Sequence, residues 1–131
     1  MILSFKEQFV PKILKGTKNT TFREDRPRRW KHGMKIHFWK DNPRNITKKP
    51  YQFAIGTVKN VYPVEINTAL NFIIINGVTY DKQHILNKIA ENDGFKDWED
   101  MKTFFPFGHW KGVVIRWTDI EQVGIGVSTG S

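Results

Sequence analysis

The sequence of 131 residues contains no cysteine. This absence excludes disulfide bonds, thiolate zinc sites and a cysteine nucleophile. The sequence also has no apolar run close to the roughly 20 residues that a membrane-spanning helix requires. Its opening stretch, Met1–Phe5, is too short for the core of a signal peptide and follows no basic segment. We therefore expect a cytoplasmic protein without a membrane partner.

Patterns that bind metals or phosphate-bearing cofactors are missing as well. The four histidines, at positions 32, 37, 84 and 109, have no ligand spacing with one another or with carboxylates. The sequence has no Walker pattern, no phosphate-binding glycine loop and no Ser-His-Asp order. It therefore predicts no metal site and no bound cofactor.

The rest of the composition is typical of an ordered globular protein. Apolar residues make up 39% of the chain and aromatic residues 14%, which argues against disorder. A chain of this length can bury one core. We expect a single domain over residues 1–120, followed by a flexible, glycine-rich tail over residues 121–131.

Positive charge is concentrated in the first part of the chain. Residues 1–49 contain 14 Lys or Arg and 4 acidic residues, whereas residues 50–131 contain 7 and 9. Within the basic part, a tryptophan interrupts the cations of residues 26–31, RPRRWK. Cations contact phosphates, and an aromatic ring can stack on an unpaired base. This segment is therefore either a solvated loop or a surface that binds a polyanion, and composition does not separate RNA from DNA.

Hydrophobic periodicity predicts a mixed fold with more strand than helix. A helix is expected within residues 6–15, starting near Val10 or Pro11, and two more follow caps at Asp81 and Asp97. Strands are expected at 20–24, 35–39, 51–65, 72–75, 78–80 and 113–117. A bulge is expected at Gly56, and residues 76–77 form an Asn-Gly hairpin turn. The pattern predicts an α+β fold, a small β-barrel of five to six strands with two to three peripheral helices.

The first helix-to-strand junction carries polar side chains in a pattern that is typical of a ligand site. Gly16 follows an apolar helix end and is placed to cap it in a left-handed conformation. Lys18 then lies in the turn, and Thr21 and Arg23 share one face of the next strand because side chains alternate. We expect these three side chains to converge on one solvent-filled space that suits an anionic or carbonyl-bearing ligand.

Residues 11–23, PKILKGTKNTTFR, resemble the signature of ASCH domains. In that family a helix ends in a Gly-x-Lys turn, and Thr or Glu and then Arg follow on the next strand. A second segment, Asp93-Gly94-Phe95 with the helix after Asp97, is similar to a family segment in which a helix starts just after an acidic-Gly-Phe turn. The match covers roughly residues 2–118. It implies a PUA-like, mostly antiparallel β-barrel.

ASCH domains are related to the RNA-binding PUA and YTH domains. The resemblance therefore implies binding of RNA or a modified nucleoside in a cleft at the Gly-x-Lys-x-x-Thr-x-Arg motif. The nucleic-acid contacts expected on this basis are Lys15, Arg23, Arg26, Arg28, Arg29, Trp30 and Lys31.

One small bacterial branch of the family consists of amidohydrolases that remove the acetyl group from N4-acetylcytidine with a Lys, a Thr and a glutamate. Lys18 and Thr21 match the first two, and the acidic position falls on or beside Asp93. Glu91, two residues earlier, is an alternative acid. An aspartate is one methylene shorter than a glutamate, which places its carboxylate about 1.5 Å further back. The implied catalytic residues are Lys18, Thr21 and Asp93.

Two functions of different classes stay open at this point. One is a module that binds RNA or a nucleoside; the other is an enzyme that deacylates N4-acetylcytidine or a related nucleoside, or that cleaves RNA. The same residues also suit a structural interpretation, in which Thr21 is an ordinary strand residue, Lys18 contacts phosphate and Asp93 is a turn acid. The oligomeric state is left open.

Overall fold

The structure is a computed structural model that describes residues 1–24 and 30–123. Within these ranges it contains the strands β1 (Ile2–Phe5), β2 (Thr20–Arg23), β3 (Lys35–Lys40), β4 (Tyr51–Asn67), β5 (Phe72–Ile75), β6 (Val78–Tyr80) and β7 (His109–Gln122). The helices there are α1 (Val10–Lys15), α2 (Gln83–Asn92) and α3 (Trp98–Lys102). Short 3-10 turns occur at Glu7–Phe9 and Ile46–Lys48.

The strands form one sheet in which the long β4 is central. The order is β1-β3-β4-β5-β6, and β7 pairs with both β4 and β2. All pairs are antiparallel except β1 with β3, which run parallel. The predicted α+β class and mostly antiparallel sheet are confirmed. In the described part of the chain the sheet is not closed, so the barrel stays a prediction.

Two strands depart from the sequence-based prediction. β1 was not predicted, because four residues are too few for a reliable period of two and its partner β3 lies more than thirty positions away. β7 is longer than the predicted range 113–117, because it follows β4 over most of that strand's length with two register shifts. Glu121 pairs with Ile55 and Gln122 with Ala54, so the predicted tail begins too early. Residues 124–131 of that tail lie outside the described residues.

Several local predictions are confirmed. The register between β4 and β7 shifts between Ile55 and Thr57, which places a bulge at Gly56. Asn76 and Gly77 both have positive φ, 50° and 83°, as a two-residue hairpin turn of this type requires. The predicted cap of α2 at Asp81 is wrong: α2 begins after Lys82, which makes no side-chain capping bond.

The core is formed by buried side chains of the strands and of the helices. Trp98 and Met101 of α3 are fully buried, as are Leu86 and Ala90 of α2. Asp97 caps α3 by accepting a hydrogen bond from the backbone N–H of Asp100 at 2.9 Å. This packing fixes the turn between α2 and α3, which contributes Asp93 to the candidate site.

Candidate functional site

The junction between α1 and β2 turns as the sequence predicts. Gly16 ends α1 with φ +82°, a left-handed conformation that glycine adopts without steric cost. The backbone N–H of Lys18 then donates to the carbonyl of Lys12 at 3.0 Å. These bonds fold the chain back over the end of α1 and direct the Lys18 side chain inward, where it is 2% exposed.

Lys18 is bound by acceptors from two distant parts of the chain. Its Nζ donates to the backbone carbonyl of Thr20 at 2.7 Å and to that of Asp93 at 2.6 Å. The same Nζ lies 3.3 Å from Oδ1 of Asp93. An ammonium group has three protons to donate, and these three oxygen atoms provide an acceptor for each. Lys18 therefore joins β2 to the carboxyl end of α2.

Neighbouring hydroxyl groups on β2 bind opposite charges. Thr20 Oγ1 donates to Oδ1 of Asp93 at 2.7 Å, while Thr21 Oγ1 accepts from Nε of Arg23 at 3.1 Å. The second bond confirms that Thr21 and Arg23 share one face of the strand. Arg23 also donates through Nη2 to the carbonyl of Ser4 at 2.7 Å, which fixes the guanidinium between β1 and β2.

Burial shifts the pKa values of the charged groups towards their neutral forms. Loss of solvent lowers the pKa of Lys18 below its usual 10.5, and the nearby carboxylate of Asp93 acts against this shift. Burial likewise raises the pKa of Asp93 above 3.8, against the attraction of Lys18 and the hydrogen bond from Thr20. It also lowers the pKa of Arg23, although a guanidinium stays charged at physiological pH.

These polar groups line a cavity of about 350 Å³. Lys18, Thr21, Arg23 and Asp93 all contribute to its surface. The expectation that Lys18, Thr21 and Arg23 converge on one space is thus confirmed. Because Lys18 and Asp93 are each under 5% exposed, they lie at the closed end of that space.

Aromatic rings form much of the remaining wall. The lining includes Phe5, Phe9, Phe104, Phe105 and Trp110. Phe105 and Trp110 meet edge to face with ring centroids 5.0 Å apart, a favourable geometry for such pairs. Phe5 also lies beneath the guanidinium of Arg23, with 4.9 Å from Cζ to the ring centroid. The cavity therefore combines a polar, cationic end with flat apolar sides.

Two of the other predicted contacts fall outside this cavity. Lys15 and Lys31 are exposed and do not line it. Arg26, Arg28 and Arg29 lie outside the described residues.

Trp30 was predicted as a stacking platform, and here the structure requires a correction. Its side chain is 4% exposed and belongs to the hydrophobic core. The hydrophobic effect favours burial of a large indole ring, even when cations flank it in sequence. In this conformation the Trp30 ring presents no face to a base.

Some site residues escaped the sequence analysis. Phe5 lies on β1, the strand that was not predicted, and only the Gly-x-Lys signal indicates that a pocket exists near it. Strand alternation places Thr20 on the face opposite to Thr21 and Arg23, yet its hydroxyl reaches Asp93. Of the two candidate acids, Asp93 is the one beside Lys18, whereas Glu91 is exposed and does not line the cavity.

The part of the chain that the structure describes contains no group of three or more His, Asp or Glu side chains that could hold a metal ion. Among the described helices, none combines the length and the apolar character needed to cross a lipid bilayer. Comparison with protein-family models, with curated proteins and with solved structures found no match.

Proposed function

We propose that this protein binds a pyrimidine nucleoside, free or as a nucleotide of RNA, in the cavity beside Lys18. The observation that carries the proposal is the convergence of Lys18, Thr21, Arg23 and Asp93 on one cavity with aromatic walls. The resemblance to ASCH domains, and the PUA-like barrel that it implies, form part of this proposal.

The size and chemistry of the cavity suit a nucleobase with its sugar. A volume of about 350 Å³ lies near the lower end of the roughly 300–1,000 Å³ that is usual for small-molecule sites. Aromatic walls stack on the faces of a heterocycle, and such stacking contributes about 1–3 kcal/mol per base. The guanidinium of Arg23 lines the cavity and can donate to a base carbonyl or an acyl oxygen, and Thr21 still has a hydroxyl proton to donate.

The contacts of Lys18 favour binding over hydrolysis. A general base must lie within hydrogen-bond reach of the proton that it removes. Among the described contacts, Nζ of Lys18 bonds to Thr20 and Asp93, and the hydroxyl of Thr21 bonds to Arg23. To act on Thr21, Lys18 would have to lose a proton and leave at least one of its three acceptors. In the observed arrangement it serves to hold the cavity in shape.

Deacylation of an N4-acylated cytidine is the second candidate, because burial lowers the pKa of Lys18 and its carboxylate partner lines the same cavity. In such a reaction the Thr21 oxygen attacks the acyl carbon, Lys18 takes the hydroxyl proton, and the exocyclic amine leaves with a proton. Water then releases the acyl group from Thr21. This candidate predicts turnover that disappears in both Lys18→Ala and Thr21→Ala variants.

Calorimetric titration with cytidine and N4-acetylcytidine tests the proposal. We expect saturable binding by the wild type and an affinity up to about tenfold lower in Thr21→Val, which removes one hydrogen-bonding hydroxyl of similar shape. Thr79→Val is the matched control, because Thr79 is exposed on β6 and does not line the cavity. If neither cytidine nor N4-acetylcytidine binds, the proposal is contradicted. Chromatography of the N4-acetylcytidine samples detects any deacetylation.

A further inference from the structure

The cavity adjoins a strongly basic loop on the other side of β1. Phe5 and Lys6 line the cavity, and Phe5 lies opposite Lys40 in the parallel register of β1 and β3. The backbone N–H of Asp41 donates to the carbonyl of Phe5 at 2.9 Å. Neighbouring strands are about 4.8 Å apart, so the loop of residues 40–49 begins one strand spacing from the cavity wall.

This loop, which we call the 40–49 loop, carries four cations and one carboxylate. Lys40 pairs with Asp41 at 2.9 Å. Arg44, Lys48 and Lys49 are exposed, and no carboxylate among the described residues pairs with any of them. Three cations are therefore available to an external anion. Lys6, exposed at the cavity itself with Nζ 4.9 Å from the centroid of the Phe104 ring, extends the positive surface to the mouth.

Internal hydrogen bonds hold the loop in a defined shape. Nζ of Lys40 donates to the carbonyl of Lys48 at 2.8 Å. The backbone N–H of Arg44 donates to Oδ1 of Asn42 at 2.9 Å, and Thr47 donates to Asn45 at 2.6 Å. A surface that is ordered before binding loses less conformational entropy when its ligand arrives.

We propose that the 40–49 loop binds the phosphates of a single RNA strand while one base of that strand occupies the cavity. The inference rests on the proposed function and narrows it: the ligand is a nucleotide within a strand, not a free nucleoside. A free nucleoside has no phosphate to engage the three unpaired cations. A strand that leaves the cavity across β1 meets Lys6 and Lys40 and then Arg44 and Lys48.

The test compares a fluorescent single-stranded RNA of about six nucleotides with free cytidine, using anisotropy for the RNA and calorimetry for the nucleoside. The test variant is Arg44→Gln/Lys48→Gln. The matched control is Lys82→Gln/Lys88→Gln, which removes the same charge at two exposed positions of the α2 region that do not line the cavity.

We expect the test variant to bind the RNA about tenfold more weakly than the wild type at ~0.1 M salt. The slope of log affinity against log salt should become less steep by about 1.4, because each of two lost contacts to a single-strand phosphate contributes ~0.7. Its affinity for cytidine should equal that of the wild type, and the control variant should match the wild type in both assays.

Four results would overturn the inference. The first is that cytidine binds but the RNA binds no more tightly than cytidine. The second is that the test and control variants lose equal affinity for the RNA. Either result refutes strand binding by the loop and leaves the nucleoside site in place. If a polyglutamate peptide of equal charge binds as tightly as the RNA, the loop is a surface for acidic proteins. If neither cytidine nor RNA binds, the proposed function itself fails.

Discussion

Lys18 and Asp93 form a buried ion pair, and each of the two residues also makes hydrogen bonds to other groups. Burying two charges costs free energy, which their mutual attraction and further hydrogen bonds offset in part. Here the two carbonyls that accept from Lys18 and the hydroxyl of Thr20 supply those further bonds. Every buried side-chain N or O atom in the described ranges has a hydrogen-bond partner. The pair therefore fixes one geometry at the closed end of the cavity.

The Asp93→Asn variant tests the charge state of this pair. Because burial raises the pKa of Asp93 above 3.8, the carboxyl contributes stability that is complete below pH 3.8 and is lost as pH rises through the folded-state pKa. The free energy of unfolding of the wild type, measured relative to Asp93→Asn by urea denaturation, should therefore decrease as pH rises from about 3. An increase over the same range would mean that Lys18 outweighs burial and holds the pKa below 3.8.

Gly94 is a second position where a small change should alter the site. It has φ +94°, and an added Cβ would lie 2.9 Å from Cδ of Lys18 and 3.1 Å from Cδ1 of Phe9. Gly94→Ala should therefore destabilise the protein by about 2–4 kcal/mol, through left-handed strain together with overpacking, and should weaken nucleoside binding.

Gly33→Ala is the matched control for this variant. Gly33 has a similar φ of +86° but no atom within 4 Å of an added Cβ. We expect about 1 kcal/mol of destabilisation from backbone strain alone and unchanged nucleoside binding. Equal unfolding free energies for the two variants in urea would contradict the close packing between Gly94 and Lys18.

The secondary-structure elements show which features the sequence could predict. Local signals were sufficient for the end of α1 at Gly16, the cap at Asp97 and the hairpin turn at 76–77, because each depends on residues within one turn. Prediction failed for β1 and for the full length of β7, because those strands depend on partners distant in the chain. Burial of Trp30 also depends on tertiary packing, and the basic residues beside it in the sequence give no indication of it.

The N-cap residues of α2 and α3 allow a test at the level of a single helix. Asp97→Ala removes the acceptor for the backbone N–H of Asp100 and should cost about 1 kcal/mol, with a range of about 0.5–2. Lys82→Ala, at a capping position without a side-chain bond, should leave stability nearly unchanged. The two midpoints of thermal unfolding provide the comparison, and equal midpoints would contradict the assigned cap.

At the scale of the whole molecule, the site joins the two differently charged parts of the chain. Lys18 and Arg23 come from residues 1–49, whereas Asp93 comes from the remainder, and the bond between Lys18 and Asp93 spans 75 positions. No local pattern in the sequence specifies such a contact; the family resemblance alone indicated that the two segments belong together. The sequence therefore brought Lys18, Thr21, Arg23 and Asp93 together, whereas Phe5, Thr20 and the hydrogen bonds of the site became known from the structure.

The same scale explains why the cations have different roles. Lys18 is buried and has an acceptor for each of its protons, and Arg23 lines the cavity. Arg44, Lys48 and Lys49 of the 40–49 loop are exposed and have no carboxylate partner among the described residues. A net charge of +8 attracts polyanions to the molecule as a whole, whereas in the proposed function the cavity selects one base. Selectivity is therefore expected from the aromatic walls and Arg23, and salt-dependent affinity from the loop.

A crystal structure of the protein grown with N4-acetylcytidine tests the central claim most directly. We predict density for the pyrimidine ring between the aromatic walls of the cavity, with its carbonyl or acyl oxygen within hydrogen-bond distance of Arg23 and with the Lys18–Asp93 pair intact. An empty cavity at a saturating nucleoside concentration, or density for the nucleoside at another surface, would contradict the account.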